Sequence, residues 1–436
     1  MNRRTLICLL VVLLIVPAGA SAVFAQQGDG LFVDAAGDQG PINPFVYGTN
    51  HGPWAAVPVD LLPAAEVAGI TFIRFPAGNW GDLNDIAEWQ LDYFMTLCKL
   101  MGAEPSIDAR LRGGTPEKAA ELVRYANLEK GYDVRYWAIG NEPNLYDDYD
   151  TVRFNEEWRA IAEAMLAVDP TIILLGPELS QYPPEFAATP KDAEGRDWMT
   201  EFLRANGDLV DIVTIHRYPL PTARNRATTV EELLGTTAEW DAIIPNLRAL
   251  IREVTGGDLP VGVTEVNSHW SPAYGLQASP DTFVNALWLT DVLGRLIDQQ
   301  VEIVAQFTLQ SPNSYGGWGL FGQFDTIRPS YYVYQLYQHF GTELVAASCD
   351  VPGVSVYAAK RDDGALTVLV VNLNDAEQTQ TLSLANFEPG GEAEAWLLDA
   401  EHNAEQIASL EIGDGTTLTL TPQSATLYVI PAAGAD

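Results

Sequence analysis

Three cysteines and five histidines are all that 436 residues offer for thiol or imidazole chemistry. Once the apolar N-terminal stretch holding Cys8 is set aside, Cys98 and Cys349 remain, too few for a disulfide framework. The sequence leaves open whether they pair. The histidines (His51, His216, His269, His339 and His402) include no His-x-His and no His-Glu-x-x-His, so neither a metal site nor a cofactor is expected. Positive charge is equally scarce, with 24 Lys and Arg against 58 Asp and Glu, a formal net charge of −34. Such a field repels phosphate backbones and anionic membrane surfaces, which argues against nucleic acid or a membrane as a partner. Long apolar runs are missing too, except Leu6 to Val16. That run follows Arg3 and Arg4 and precedes Ala20-Ser21-Ala22 and Val23-Phe24-Ala25. It is too short to span a bilayer and reads as a signal peptide over residues 1–25, with a secreted or periplasmic destination. A retained N-terminal anchor is the minority reading.

What is present is an ordinary globular composition, 47% hydrophobic and 19% charged, on a chain long enough for one large domain and a smaller one. From Phe45 to Leu309 a short apolar run, a loop and an amphipathic helix recur. Strands are expected at Phe45–Gly48, Thr71–Phe75, Ser106–Leu111, Arg135–Gly140, Ile172–Gly176, Ile212–His216, Val261–Thr264 and Ile303–Leu309. The helix after the third is well marked, with Thr115 as N-cap, Pro116 in its first turn and Gly131 as its stop. Ser279-Pro280 is expected to open another. Eight strand–helix units imply parallel strands with helical crossovers, and a closed (β/α)8 TIM barrel over residues 43–340 fits that count better than an open doubly wound sheet. After Gly341 the pattern alternates with period two between Asp-Asp-Gly, Pro-Gly-Gly and Gly-Asp-Gly turns. That predicts a C-terminal antiparallel β-sandwich over 341–436. Gly30–Ala35 also reads as a strand, so residues 26–42 are expected to add to the same sandwich.

Active sites in such barrels lie where strands end and loops begin. The fourth strand, Tyr136-Trp137-Ala138-Ile139-Gly140, runs into Asn141-Glu142-Pro143-Asn144. Pro143 bars Glu142 from helical backbone and ends the ladder, which holds the glutamate at the rim. The seventh strand, Val261-Gly262-Val263-Thr264, delivers Glu265 to the same face. Strands four and seven lie across a barrel from each other, so the two carboxylates can oppose one another over a substrate. Splitting a glycosidic bond needs that pair: one carboxylic acid to protonate the departing oxygen, one carboxylate to attack the anomeric carbon. Their surroundings should therefore differ, raising the pKa of the acid and lowering that of the nucleophile. Arg74, ending strand two, is a plausible cation for Glu265, and Tyr218, just past strand six beside His216, a plausible hydrogen-bond donor to it.

The stretch Trp137-Ala138-Ile139-Gly140-Asn141-Glu142-Pro143 resembles the strand-four signature of clan A glycoside hydrolases, and Thr264-Glu265 matches their strand-seven position. The resemblance implies Glu142 as acid/base, Glu265 as nucleophile and Asn141 as partner of the sugar 2-hydroxyl. Arg74-Phe75-Pro76-Ala77-Gly78 is similar to the Arg-Phe-Pro-Gly-Gly loop of branches acting on arabinofuranosides, xylosides or glucuronides, with Ala77 as the departure. Those branches also carry a β-sandwich after the barrel. The expected substrate is a neutral, hemicellulose-type oligo- or polysaccharide, cleaved with retention.

Asn-Glu-Pro alone means no more than a strand-terminating turn; the second glutamate at the right ordinal strand gives it weight. Trp54, Trp80, Trp270, Tyr315 and Trp318 fall in loops on the same face and are candidate platforms for sugar rings, or else loop-to-barrel packing. Tyr331, Tyr332, Tyr334 and Tyr337 are expected at the interface between last helix and sandwich. Glu178, after strand five, is the rival carboxylate, read as a substrate contact or a solvated loop residue. A non-catalytic carbohydrate-binding barrel is the alternative function. Oligomeric state is not legible.

Overall fold

The computed structural model describes residues 30–220, 228–270, 277–311, 316–324 and 326–434. The expected signal peptide and Tyr315 lie outside them. Among the described residues, seventeen strands form two sheets. Strand β1 (Leu31–Pro41) comes first. It is followed by β2 (Gly48–Asn50), β3 (Phe72–Phe75), β4 (Glu104–Ala109), β5 (Tyr136–Ile139), β6 (Ile173–Leu179), β7 (Ile212–Arg217), β8 (Val261–Val266) and β9 (Ile303–Gln306). Strands β2 to β9 pair in parallel in sequence order, and β2 closes on β9 with Gly48 opposite Ala305. The eight-stranded barrel is therefore real.

Two cores follow from the period-two alternation along each barrel strand. Phe72, Tyr136, Ala138, Leu175, Ile212, Ile303 and Ala305 fill the barrel floor. Their neighbours Ile73, Phe75, Trp137, Ile139 and Val213 point outward into the helical layer. The helix Pro116–Val123 begins as its sequence dictates: Thr115 accepts from Lys118 N at 3.3 Å with Pro116 behind it. It continues as a π-helical stretch, Arg124–Glu129.

Strand one is shifted from its expected place, because Pro44–Val46 forms a 3-10 turn that Asn43 caps, leaving Gly48–Asn50 as the strand. Ser279-Pro280 does not open a helix. Thr282 caps the next one, Phe283–Asp298, through Asn285 N. Among the described residues no helix is long and apolar enough to cross a membrane.

The second sheet holds β1 together with β10 (Glu343–Cys349), β11 (Val354–Lys360), β12 (Leu366–Asn372), β13 (Gln378–Ala385), β14 (Glu392–Leu398), β15 (Asn403–Glu411), β16 (Thr416–Leu420) and β17 (Ser424–Ile430). Its order is β15-β14-β17-β12-β11-β10-β1-β13-β16. It folds over its own core of Leu31, Val33, Val356, Val368, Leu382, Leu418 and Ile430, which makes the β-sandwich. All its pairings are antiparallel except β1 with β13, which departs from the expected purely antiparallel pattern. Cys98 is buried, Cys349 partly so, and both are free thiols.

The last helix, Pro329–Tyr337, lies against β14 and β15, and its buried Tyr331, Tyr334 and Tyr337 belong to one cluster with sandwich residues such as Tyr357 and Leu427, as expected. The hydroxyls of Tyr331, Tyr334 and Tyr337 donate inward to the carbonyls of Ala64, Gly48 and Thr290, because buried phenols need an acceptor and barrel backbone supplies it. The contact between the domains also includes Tyr357, which donates to Asp291 Oδ1 at 2.7 Å, and His339 stacked on Trp396 at 3.6 Å.

Candidate active site

Glu142 and Glu265 reach the same cleft by different backbone devices. Beyond β5, Gly140 adopts a left-handed φ of 80°, where a Cβ would strike Leu111 at 2.6 Å. Glu142 itself sits at φ 47°. With Pro143 next, right-handed helical backbone is disfavoured, and the unusual conformation is pinned from both ends. Glu142 N donates to Glu178 O at 3.0 Å, and Glu142 O accepts from Leu145 N at 2.9 Å. On β8 a bulge does the work. Ile215 pairs with Val263, but His216 pairs with Glu265, so one residue is extra. Simple alternation would send Glu265 outward with Val261 and Val263; the bulge turns both Thr264 and Glu265 inward.

Arg74 lies beneath, fully buried, and binds three carboxylates. Its Nη1 is 2.7 Å from Glu265 Oε1, and its Nη2 is 2.6 Å from Asp108 Oδ2 and 3.1 Å from Glu178 Oε2. It also donates to Asn50 Oδ1 and Asn141 Oδ1. Glu265 is further held by Gly78 N at 3.2 Å and by the Tyr218 hydroxyl at 2.6 Å on Oε2. Asn141 donates from Nδ2 to Asn79, and its backbone N–H donates to Asp82.

Glu178 is a correction to the sequence reading. It belongs to β6, is fully buried, and its Oε2 receives Thr264 Oγ1 at 2.7 Å and His216 Nε2 at 2.8 Å. The register of β6 slips between Gly176 and Leu179, and Glu178 has φ 57°. That bulge turns inward a residue that alternation from Leu175 aims outward. Asp108 also went unread, although Ser106 and Asp108 alternate with the outward Ile107 and Ala109, which is a usable signal.

Burial pushes the His216 imidazole down, but Glu265, Glu142 and Glu178 around it outweigh that and carry it up to about 10. Burial raises Glu178 as well, yet Arg74 and His216 bring it down to about 2. Asp108 is raised well above the carboxylate range, burial exceeding the pull of Arg74. For Glu142 burial acts upward, but hydrogen bonds from His216 and Ser180 and the charges of His216 and Arg74 leave it lowered. The carboxyl of Glu142 is thus lowered where the sequence reading expected it raised, with the imidazole beside it as the chief cause.

One oxygen of Glu142, one of Glu265 and one ring nitrogen of His216 lie within 4.8 Å of one another. Three such atoms are also a geometry that a cation could use, and the bonds of His216 to Glu142 and Glu178 hold the cluster together without one. The two glutamates open onto a cavity of about 710 Å³ lined by Trp54, Trp80, Asn141, Tyr218, Trp270 and Trp318 among others. All four tryptophans singled out from the sequence are thus brought to one cleft. Phe307, unread from the sequence, contacts the rings of Trp54, Tyr218 and Trp318. Trp318 donates to His269 O at 2.7 Å. Among the described residues, Glu142 and Glu265 are the only charged ones in this lining.

The chain is similar to clan A glycoside hydrolases. The β-xylosidase of Geobacillus stearothermophilus is 24% identical over 260 residues, which cover 55% of this chain and 48% of that protein. The α-L-arabinofuranosidase C of Emericella nidulans is 24% identical over 157 residues, 27% of this chain and 31% of the relative. The chain thus spans less than half the length of these curated relatives. Residues 352–423 match the family of the C-terminal immunoglobulin-like domain of D-apionate lactonase. Among solved structures, an arabinose complex of α-L-arabinofuranosidase from Thermotoga maritima superposes with a TM-score of 0.72 at 17% identity, covering 92% of this chain and 99% of that one. A bifunctional glucanase-xylanase from a metagenome library gives 0.72 at 18%, covering 93% and 100%. These likenesses share the barrel-plus-sandwich fold.

Proposed function

We propose that this chain is a retaining glycoside hydrolase that acts, after export, on a neutral hemicellulose-type glycan. Glu265 attacks the anomeric carbon and Glu142 serves as acid and then base. The observation that carries the reading is the approach of the two glutamates, with one oxygen of each within 4.8 Å of the other, from opposite sides of one barrel mouth. That spacing suits direct attack and is well short of the roughly 6.5–9.5 Å that accommodates an inverting water. Arg74, Tyr218 and Gly78 N hold Glu265 as an oriented anion. The tryptophan walls suit the apolar faces of sugar rings. Among the described residues of this lining a uronate would meet two carboxylates and no cation, which supports a neutral substrate.

Proton NMR of the first-formed sugar from an arabinofuranosyl or xylosyl substrate tests the reading. Retained anomeric configuration is expected, and an inverted product would overturn it. Glu265→Ala should lose turnover, with azide restoring it as an inverted glycosyl azide.

A further inference from the structure

We propose that Glu178, His216 and Glu142 form a proton relay in which His216 stores the proton that Glu142 delivers to the leaving oxygen, with Glu178 as the positioning residue that fixes the imidazole for that task. The inference rests on the two-glutamate reading above and adds to it a third, deeply buried carboxylate.

The hydrogen-bond pattern determines the tautomer. Glu178 Oε2 faces three donors, Arg74 Nη2, Thr264 Oγ1 and His216 Nε2, at 3.1, 2.7 and 2.8 Å. An anion in that position can only accept, so Nε2 keeps its hydrogen. The remaining ring nitrogen, Nδ1, faces Glu142 Oε1 at 3.2 Å. One proton is shared across that gap, on His216 in the free site and on Glu142 when a glycosidic oxygen approaches. The groups facing His216 are Glu142 from the end of β5, Glu178 from β6 and Glu265 from β8, with Arg74 and Asp108 behind them and Tyr218 just past its own strand.

The steps balance. As Glu265 bonds to the anomeric carbon, the carbon–oxygen bond to the leaving group breaks. That oxygen takes the shared proton, which passes from His216 Nδ1 through Glu142 Oε1, leaving His216 neutral and Glu142 a carboxylate. Glycosylation also cancels the charge of Glu265, the strongest of the charges that hold the proton on His216, so the ring releases its proton in phase with bond breaking. In the second half, water attacks the anomeric carbon, gives its proton to Glu142 and thence to Nδ1, and Glu265 leaves as a carboxylate.

The test measures kcat/KM for the 4-nitrophenyl and phenyl α-L-arabinofuranosides, and for the matching β-D-xylosides, against pH. It compares wild type with Glu178→Gln, His216→Asn and Glu142→Ala. A relay predicts that Glu178→Gln raises the nitrophenyl-to-phenyl ratio at least tenfold, because only the poor leaving group needs the proton. It also predicts that the alkaline limb moves at least one pH unit lower, because the imidazolium has lost its counter-charge. Equal losses on both leaving groups with an unmoved alkaline limb would overturn the relay. If Glu178→Gln does not fold, as judged by its thermal transition, His216→Asn reads the same ratio. If Glu142→Ala itself shows no leaving-group dependence, the two-glutamate reading fails, which is a separate result.

Discussion

Tyr218 places its hydroxyl 2.6 Å from Glu265 Oε2, the oxygen that Arg74 does not touch. The carboxylate thus has a donor on each oxygen, and its plane is fixed before any substrate arrives. Hydrogen bonds to charged groups contribute about 1.5–3 kcal/mol. Tyr218→Phe should therefore lower kcat/KM by roughly 10- to 150-fold. Steady-state kinetics on an arabinofuranoside or xyloside checks this; a change below threefold would show that the phenol contributes only packing.

Arg74→Met is expected to destabilise the whole barrel. It strands Asp108, Glu178 and Glu265 in the interior without their cation. Breaking a buried ion pair from one side costs about 3–5 kcal/mol. Urea unfolding followed by tryptophan fluorescence reads the loss, and a midpoint equal to that of wild type would contradict it.

Stability should fall on both sides of neutrality. The folded pKa of Glu178 is depressed to about 2, so its contribution is present above the ordinary value of 4.5 and is lost as pH falls from there toward 2. That of His216 is raised to about 10, so its contribution is full below 6.5 and drains away as pH rises from 6.5 to 10. Thermal midpoints measured from pH 3 to 10 should therefore trace a dome, and His216→Asn should flatten its alkaline side. An alkaline side unchanged in the variant would remove His216 from the account.

How much of this was legible depended on whether a strand keeps its alternation. Glu142 was readable because proline and glycine punctuate the chain on either side of it, and Glu265 because it ends an apolar run. Glu178 was not, since a bulge reverses the face on which it emerges, and bulges leave no reliable trace in hydrophobic pattern. Asp108 obeys alternation and was missed only because acidic residues abound. The tryptophans were placed on the correct face because barrel topology assigns every loop after a strand to it, whatever the loop's path.

Gly52 offers a way to move a platform without touching it. A Cβ built there lies 2.0 Å from the Trp54 ring. Gly52→Ala must therefore displace the indole, and its KM should rise in step with that of Trp54→Ala, by several-fold. Unchanged KM in Gly52→Ala alongside a raised KM in Trp54→Ala would show that the ring relocates at no cost to binding.

At the seam between the domains, Gly294 meets the Tyr357 ring, with a Cβ approaching to 2.2 Å. Gly294→Ala should cost about 1–3 kcal/mol through overpacking. Differential scanning calorimetry is the measurement, and an undiminished transition temperature would mean that the seam yields without strain.

The strand Leu31–Pro41 sits between β10 and β13, two strands made only after the entire barrel. During synthesis this ribbon lacks its neighbours in the sheet until the whole barrel has been made. The sandwich is consequently the late event in the birth of the molecule, and the barrel is bracketed by a clasp that fastens its two flanks together. Cutting the gene at the barrel's edges would leave an unpaired slot in the middle of the other sheet, so the sandwich segment after the barrel is not a freely transferable cassette.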